Sequence, residues 1–392
     1  MNILLANLTK MVGDSGGMAK VTCNFANQMK KRGHQVALVY SDVQTGDFYY
    51  PIDSGIPLYD IRHYKGQSIS YPWYLKLKRE FYRTFDKQKA RTVNDDFAAA
   101  FLLDNLQDVL DTVKPDVIVS FQPAASKMLL CDLETKIPVV SMSHGPTSDY
   151  FTIYPKDELP ALEKSAVCQV LLPSFERPLK EHLKNVTTVV IGNAIPQYKE
   201  QADLTAKKDH HKIIFVGRLA KGHKRPHLLI EAFAGLAKDF PNWTVELWGA
   251  VDGKAYHKEL QMMIRKHSLG NQVFLKGTTD NVPVVLKDGD IFAITSAYEG
   301  FSLSLGEAMS MGLPAVGYRS CSSVNELIQD GENGYLCEEG SEDFAEKLSK
   351  LMKNQDLRIA MGKQARVSME SYAPEKIWGL WEILLEKYGK GL

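Results

Sequence analysis

Residues 2–40 read NILLANLTKMVGDSGGMAKVTCNFANQMKKRGHQVALVY. Asn2 to Leu8 is a short, largely apolar run, the pattern of a strand buried on both faces. A glycine-containing turn follows, Gly13-Asp14-Ser15-Gly16-Gly17. Met18 to Lys31 then has helical character and is closed by Gly33, a residue suited to the end of a helix. Gln35 to Tyr40 is a second strand. Strand, helix and strand in this order form a βαβ unit, and such a unit predicts a parallel sheet.

The alternation continues outward from this unit. Asp116–Phe121, Ile137–Ser143, Cys168–Leu172 and Thr187–Ile191 read as strands, and Asp95–Thr112 as one helix. The second half repeats the theme. Strands are expected at His211–Gly217, Trp243–Trp248, Val273–Gly277, Asp290–Ser296 and Pro314–Tyr318. Helices are expected at Pro226–Phe240, Lys254–His267, Ser302–Met311, Phe344–Lys353 and Leu357–Met369. The chain therefore reads as two doubly wound, Rossmann-like α/β domains in tandem. The polar stretch Ile195–Asp209, which contains Pro196, reads as the linker. The tail from Pro374 to Tyr388 is amphipathic and carries Trp378 and Trp381, so it requires a surface to pack on.

Composition supports this class and excludes others. At about 150 residues per domain, 392 residues make two or three domains. A 44% hydrophobic and 24% charged composition is that of a globular protein. Lys plus Arg and Asp plus Glu are each 47, and a net charge of zero argues against a dedicated nucleic-acid binder. The five cysteines have no C-x-x-C spacing, which argues for reduced thiols in a cytoplasmic protein over a disulfide framework or a zinc site. The first residues lack a basic region and a cleavage site, and no run of about 18 apolar residues occurs.

In open α/β sheets ligands bind beyond the C-terminal edges of the strands, so strand-to-helix turns are the places to search. Gly16 and Gly17 open the first helix, where backbone amides form a ready anion site. The alternative there is a simple tight turn. Gly217-Arg218 and Lys224 fall between a strand and a helix beginning near Pro226, an arrangement suited to a pyrophosphate. The alternative is a solvated basic loop, since Lys221 and Arg225 lie there too. The most informative stretch is SAYEGFSLSLGEAM, residues 296–309. Glu299 precedes a helix start and Glu307 lies about two turns inside it, with Gly300, Phe301, Ser302 and Leu303 between them. Carboxylate acceptors beside first-turn amide donors suit a polyhydroxylated ligand. Asp288-Gly-Asp290 precedes a strand and reads as a turn, while His223 and His227 flank Pro226 and do not share one helical face. No metal site is expected.

The pattern Gly217-Arg218-Leu219, Lys224, Leu228-Leu229-Ile230-Glu231-Ala232-Phe233, then Glu299-Gly-Phe, Glu307-Ala-Met and Gly312-Leu-Pro resembles the retaining glycosyltransferases of family 4, which have the GT-B fold. The first half resembles them more loosely through Gly16-Gly17, His144-Gly145 and Ser174. The resemblance implies two Rossmann-like domains facing across a cleft. Residues 1–196 would form the acceptor side, with a C-terminal helix in 374–392 packing back on it, and 197–373 the nucleotide-sugar side. Glu299 and His144 would contact the transferred sugar, and Glu307 would hold the nucleotide ribose. Arg218 and Lys224 would neutralise the diphosphate. Gly16 and Gly17 would approach the donor, and Gly217 would also belong to the donor-binding set. Gly300, Phe301, Ser302 and Leu303 would offer backbone N–H groups. The Arg218-to-Lys224 spacing is one residue longer than is commonest in the family, which leaves Lys221 as a rival to Lys224. The implied activity is transfer of a hexose or N-acetylhexosamine from a nucleotide-sugar, a UDP-sugar by preference and then GDP-mannose. The acceptor would be a glycan or lipid-linked precursor of a surface polysaccharide or glycoconjugate. No cofactor is implied. A GT-B epimerase or hydrolase, or a non-catalytic sugar-nucleotide-binding partner, is the alternative. Base selectivity would lie in the loop after Gly277.

One segment departs from charge neutrality. Between Arg62 and Arg91 lie nine cations against Glu80 and Asp86, a local +7, interleaved with Tyr71, Trp73, Tyr74, Phe81, Tyr82 and Phe85. Pro72 to Arg91 reads as an amphipathic helix. Its Lys76, Lys78, Arg79 and Arg83 suit an anionic membrane surface or acceptor. The alternative is a solvated helix whose aromatics enter the first core.

Overall fold

The computed structural model describes residues 1–389, so the last three positions of the expected 374–392 segment lie outside the described residues. The chain divides into two units, Met1–Gly192 with the segment from Ile377 onward, and Asn193–Lys376.

The first unit contains β1 (Asn2–Asn7), β2 (Gln35–Tyr40), β3 (Leu58–Asp60), the small hairpin β4 (His63–Tyr64) and β5 (Gln67–Ser68), β6 (Val117–Ser120), β7 (Val139–Met142), β8 (Val167–Val170) and β9 (Thr188–Val190). Its main sheet runs β3-β2-β1-β6-β7-β8-β9, parallel throughout. Ile3 to Ala6 are wholly buried, as a central strand covered on both faces must be. Helix Gly17–Lys31 covers one face through Phe25, Ala26 and Met29. On the other face Leu4, Ala6 and Val39 pack with Phe97, Leu106 and Val109.

The amphipathic tail has its surface here. Helix Pro374–Gly389 sets Trp378 and Trp381 edge-on to Phe25, at 5.6 and 4.9 Å between ring centres. Arg32 and His34 both reach Glu382.

The second unit contains β10 (His211–Val216), β11 (Trp243–Trp248), β12 (Val273–Gly277), β13 (Ile291–Ile294), β14 (Ala315–Tyr318) and β15 (Gly334–Cys337). Its order is β12-β11-β10-β13-β14-β15, again parallel. Both sheets reverse direction of winding at their first strand, between β1 and β6 and between β10 and β13.

Three expectations are corrected. The stretch 195–209 is no free linker at its start. Ile195 is fully buried in the second unit, donates its N–H to the Tyr372 carbonyl at 2.8 Å, and lies against Gly306, where a Cβ would come within 2.6 Å of its side chain. The helix expected at Asp95–Thr112 is two helices, Lys87–Phe101 and Leu103–Val113, separated at the buried Leu102. The helix expected over 72–91 ends at Phe85, because Asp86 leaves helical geometry and caps the next helix by accepting the Lys89 N–H at 3.0 Å. The Trp73–Phe85 helix buries none of its residues. Arg62 and Tyr71 do enter the core, with the Arg62 guanidinium 4.9 Å from the centre of the Phe97 ring.

A buried carboxyl pair lies where the Lys87–Phe101 helix meets the turn Lys156–Glu158. Asp95 and Glu158 are both buried, and burial is the main cause that raises both above the ordinary carboxyl range. Charge on Asp157 adds to the rise at Asp95, and Asp95 itself adds to the rise at Glu158. The folded chain thus keeps protons that the unfolded chain releases at about pH 4. Stability from this pair is present at acid pH and is lost as pH rises through neutrality. Glu158→Gln is expected to remove about half or more of the fall in Tm between mildly acid and alkaline pH. Calorimetric melts of both proteins over that range check it, and equal slopes would overturn it.

Candidate donor site

The switch point of the second sheet brings two loops together, the one after β10 and the one after β13. Hydroxyl and guanidinium groups join them. Thr295 Oγ1 donates to the carbonyls of Lys224 and Arg225 at 2.9 and 3.0 Å. Arg225, in left-handed backbone geometry just before helix Pro226–Ala234, donates back to the carbonyls of Thr295 and Ser296. It also forms a bidentate pair with Glu339 and lies over the Tyr318 ring. Ala297 N–H donates to the His223 carbonyl at 2.8 Å. The His223 ring stacks on Tyr298 and its Nε2 donates to the Tyr298 carbonyl.

This lacing sets the charged pair. Lys224 Nζ lies 2.5 Å from Glu299 Oε1, both side chains being nearly buried. Ser296 Oγ donates to the same oxygen at 2.5 Å. Lys221 turns outward to Glu259 at 2.6 Å, so the structure brings Lys224, and not its rival, to Glu299. Arg218 is exposed at the end of β10. Gly217 leaves room for the lysine stem, since a Cβ there would meet Lys224 Cε at 3.3 Å.

Helix Leu303–Ser310 follows. Glu307 sits within it, only 7% exposed, near enough to Tyr198 for its charge to add to the upward shift that burial gives that phenol. Gly300 is half-buried before the helix, and Phe301 is buried against Tyr372. Ser302 requires a correction. Its N–H, expected to face a ligand, is donated to Ser323 Oγ at 3.0 Å. Asp288 and Asp290 lie at the opposite, N-terminal end of β13. There Asp288 binds Lys212 Nζ, and Asp290 accepts the Lys212 N–H and meets Lys208 and His211. His223 and His227 part company, His227 facing the Tyr256 hydroxyl at 2.8 Å. Among the described residues no group of three metal-ligating side chains gathers.

The first unit carries its own candidates. Gly16 is the N-cap of helix Gly17–Lys31, and its N–H is taken by Asp14 Oδ1 at 3.0 Å. A Cβ on Gly16 would press on that carboxylate, whereas Gly17 faces open space. Upstream, Asp42 accepts the N–H groups of Met11 and Val12 at 2.7 and 2.8 Å and so fixes the loop. His144 follows β7 and stacks on Phe121 at 5.4 Å. Burial lowers its pKa to about 4, so it is neutral at physiological pH, and its Nε2 has no hydrogen-bond partner among the described residues. Ser174 lies in the 3-10 turn Pro173–Phe175 after β8.

Three contributors carry no motif: Asp42, Ser296 and Arg225. The one sequence signal they share is placement just beyond a strand end or just before a helix start. Gly249 is a fourth. A Cβ there would lie 2.0 Å from the Gly217 carbonyl oxygen, so only glycine allows the turns after β10 and β11 to touch. Gly249→Ala is expected to cost about 2 kcal/mol or more in denaturant unfolding and to weaken nucleotide binding by displacing the Lys224 loop. Unchanged stability and binding would contradict that assignment.

Comparison with known proteins agrees with this picture. Residues 15–174 match Glycosyltransferase Family 4, and residues 196–368 match Glycosyl transferases group 1. An uncharacterized glycosyltransferase of Haemophilus influenzae is 25% identical over 386 residues, spanning 95% of this chain and 97% of its own. The poly(glycerol-phosphate) alpha-glucosyltransferase of Bacillus subtilis is 30% identical over 189 residues, which are 48% of this chain and 28% of that one. The structure of Staphylococcus aureus TarM with fondaparinux, alpha-GlcNAc-glycerol and UDP superposes with a TM-score of 0.75 at 16% identity, covering 98% of this chain and 99% of that one. The two family matches fall one on each structural unit, and the chain belongs to the glycosyltransferases of GT-B fold.

Proposed function

We propose that this glycosyltransferase is a retaining enzyme. It moves a hexose or N-acetylhexosamine from a UDP-sugar to a glycan or lipid-linked acceptor, in the cytoplasm and without a metal. The observation that carries the reading is the Lys224–Glu299 pair at the C-terminal edges of β10 and β13. A cation and a carboxylate held side by side suit a ligand with a phosphate at one end and hydroxyls at the other. TarM was determined in complex with UDP and alpha-GlcNAc-glycerol. The Bacillus subtilis relative is named an alpha-glucosyltransferase. An α product formed from an α-linked nucleotide-sugar is retention.

In this reading Glu307 accepts from the ribose hydroxyls. Glu299 accepts hydrogen bonds from hydroxyls of the transferred sugar, and the amides of Gly300, Phe301 and Leu303 donate to the sugar or the phosphate. Ser302 instead shapes the turn through Ser323. His144 and the Gly16–Gly17 turn are assigned to the donor sugar and phosphate. As the glycosidic bond breaks, its electron pair passes to the β-phosphate oxygen. Arg218 and Lys224 stabilise that growing charge. Lys224 has three donors and spends one on Glu299, so it can hold carboxylate and phosphate together. The acceptor hydroxyl attacks from the face the leaving group vacates and gives its proton to that phosphate oxygen. No carboxylate nucleophile beneath the anomeric carbon is invoked, in contrast to double displacement.

The test is a calorimetric screen of nucleotide-sugars followed by transfer assays. Glu299→Ala is expected to lower turnover by about 100-fold or more with the fold intact. Glu307→Ala is expected to weaken UDP binding by about tenfold or more. Near-normal values in both would sink the site, and a trapped glycosyl–enzyme adduct would sink the same-face route. Transfer should persist in EDTA, and loss of it would assign the phosphate charge to a metal. Because His144 stays neutral down to about pH 4, His144→Gln is expected to slow turnover without moving the pH profile between about pH 6 and 7. A shifted inflection there would contradict a neutral role.

A further inference from the structure

The helix Trp73–Phe85 presents to solvent the face that a water-soluble helix ordinarily buries. Trp73, Leu77, Phe81 and Phe85 are spaced by four and form one row along it. Their exposures are 74%, 62%, 65% and 79%, and Tyr74 beside them is 51% exposed. The opposite side does the packing. Leu75 joins the edge of the first core, Arg79 lies over Tyr71 at 5.1 Å, and Tyr82 meets Lys89. Arg79 therefore serves the fold and is not part of the exposed basic patch, a correction to its expected role.

The remaining cations border the row. On a helical wheel Lys76 and Arg83 fall along one edge of the apolar row and Lys78 along the other. Arg83 leans toward Glu80 at 3.5 Å and Lys78 toward Asp96 at 3.6 Å, both exposed pairs of little strength. Lys87, also exposed, follows just past the break at Asp86. An apolar row one side chain wide, edged by lysine and arginine, is the pattern of a helix lying in a membrane interface. Aromatic groups enter the acyl boundary, and the long cationic stems reach lipid phosphates. A second protein chain would need apolar groups facing the row and acids facing both borders. A bilayer of anionic lipid supplies both at once.

We propose that the Trp73–Phe85 helix is an interfacial docking surface for an anionic lipid bilayer. It lies in the membrane plane with Trp73, Leu77, Phe81 and Phe85 inserted and with Lys76, Lys78 and Arg83 on the headgroups. No helix among the described residues is long and apolar enough to cross a membrane, so this attachment is peripheral and salt-sensitive. It adds to the transferase reading the place where the enzyme meets a lipid-linked acceptor, and depends on that reading only for the acceptor.

The test uses the full chain and vesicle flotation. Vesicles of equal parts phosphatidylglycerol and phosphatidylcholine are compared with phosphatidylcholine alone. The protein is expected to float with the anionic vesicles, to be released by salt, and to shift its tryptophan emission to the blue. Trp73 is the exposed tryptophan, the others being buried or half-buried. The triple variants W73A/F81A/F85A and K76E/K78E/R83E are each expected to lower the bound fraction about tenfold or more. Melting curves and UDP binding of the variants show that fold and donor site are intact, so a failure of the transferase reading registers separately. Wild-type protein that stays off anionic vesicles, or variants that bind as well as wild type, would overturn the proposal. So would a wild-type dimer in sedimentation that W73A/F81A/F85A abolishes, since the row would then belong to a second copy.

Discussion

The candidate donor site depends on a lysine and a carboxylate that are both nearly out of water, Lys224 and Glu299. Removing two such charges from solvent costs on the order of several kcal/mol each, and their attraction offsets this only with good geometry and further hydrogen bonds. The chain supplies both. Ser296 adds a donor to the same carboxylate oxygen, while Thr295 and Arg225 hold the two supporting loops by their backbone carbonyls. A well-packed apolar pair would serve stability as well. The expense is understandable where a charge must stand in a fixed place before its ligand arrives, which is what electrostatic preorganisation requires.

The same sheet plan occurs twice with opposite electrostatics at the switch point. In the second unit the turn after the first strand ends in cations, Arg218 and Lys224. In the first unit the corresponding turn is organised by acids. Asp42 gathers the amides of Met11 and Val12, and Asp14 takes that of Gly16. His144, which follows β7, is neutral. That difference is the ground on which the proposed function places the diphosphate at the second unit. Topology alone does not assign these roles, since both sheets share it. The side chains at the strand ends do.

Much of the fold was legible because central parallel strands are short apolar runs, and β1, β10 and β13 read as such. The strands that escaped, β3, β4, β5 and β15, are short, and β15 begins at Gly334 directly after the glycine turn at Gly331. The break at Leu102 left no trace because a buried leucine satisfies helical periodicity as well as it ends a helix. In the candidate site, the position of Glu299 before the helix and of Glu307 within it was legible from spacing. The choice between Lys221 and Lys224 was not, because it turns on a fold-back that joins residues 75 apart. Nor was the capture of the Ser302 amide, whose partner Ser323 arrives after β14. Long-range pairing by small polar groups leaves no periodic mark.

The basic and aromatic segment shows how packing can decide what composition leaves open. Its residues could have entered the core, and Arg62, Tyr64 and Tyr71 do. The next helix begins at Trp73 in a phase that places Leu75, Arg79 and Tyr82 inward. Four large apolar side chains are thereby turned outward in register. A thirteen-residue helix is marginal in water on its own. This one is held by the Asp86 cap on its successor and by that successor's anchorage, through Phe97 in the core and Asp95 against Glu158. Asp95 of the buried carboxyl pair and the exposed aromatic row thus belong to one hairpin. Firm attachment of its second helix lets the first keep an apolar face in water. The free energy to be gained by covering that face lies outside the chain.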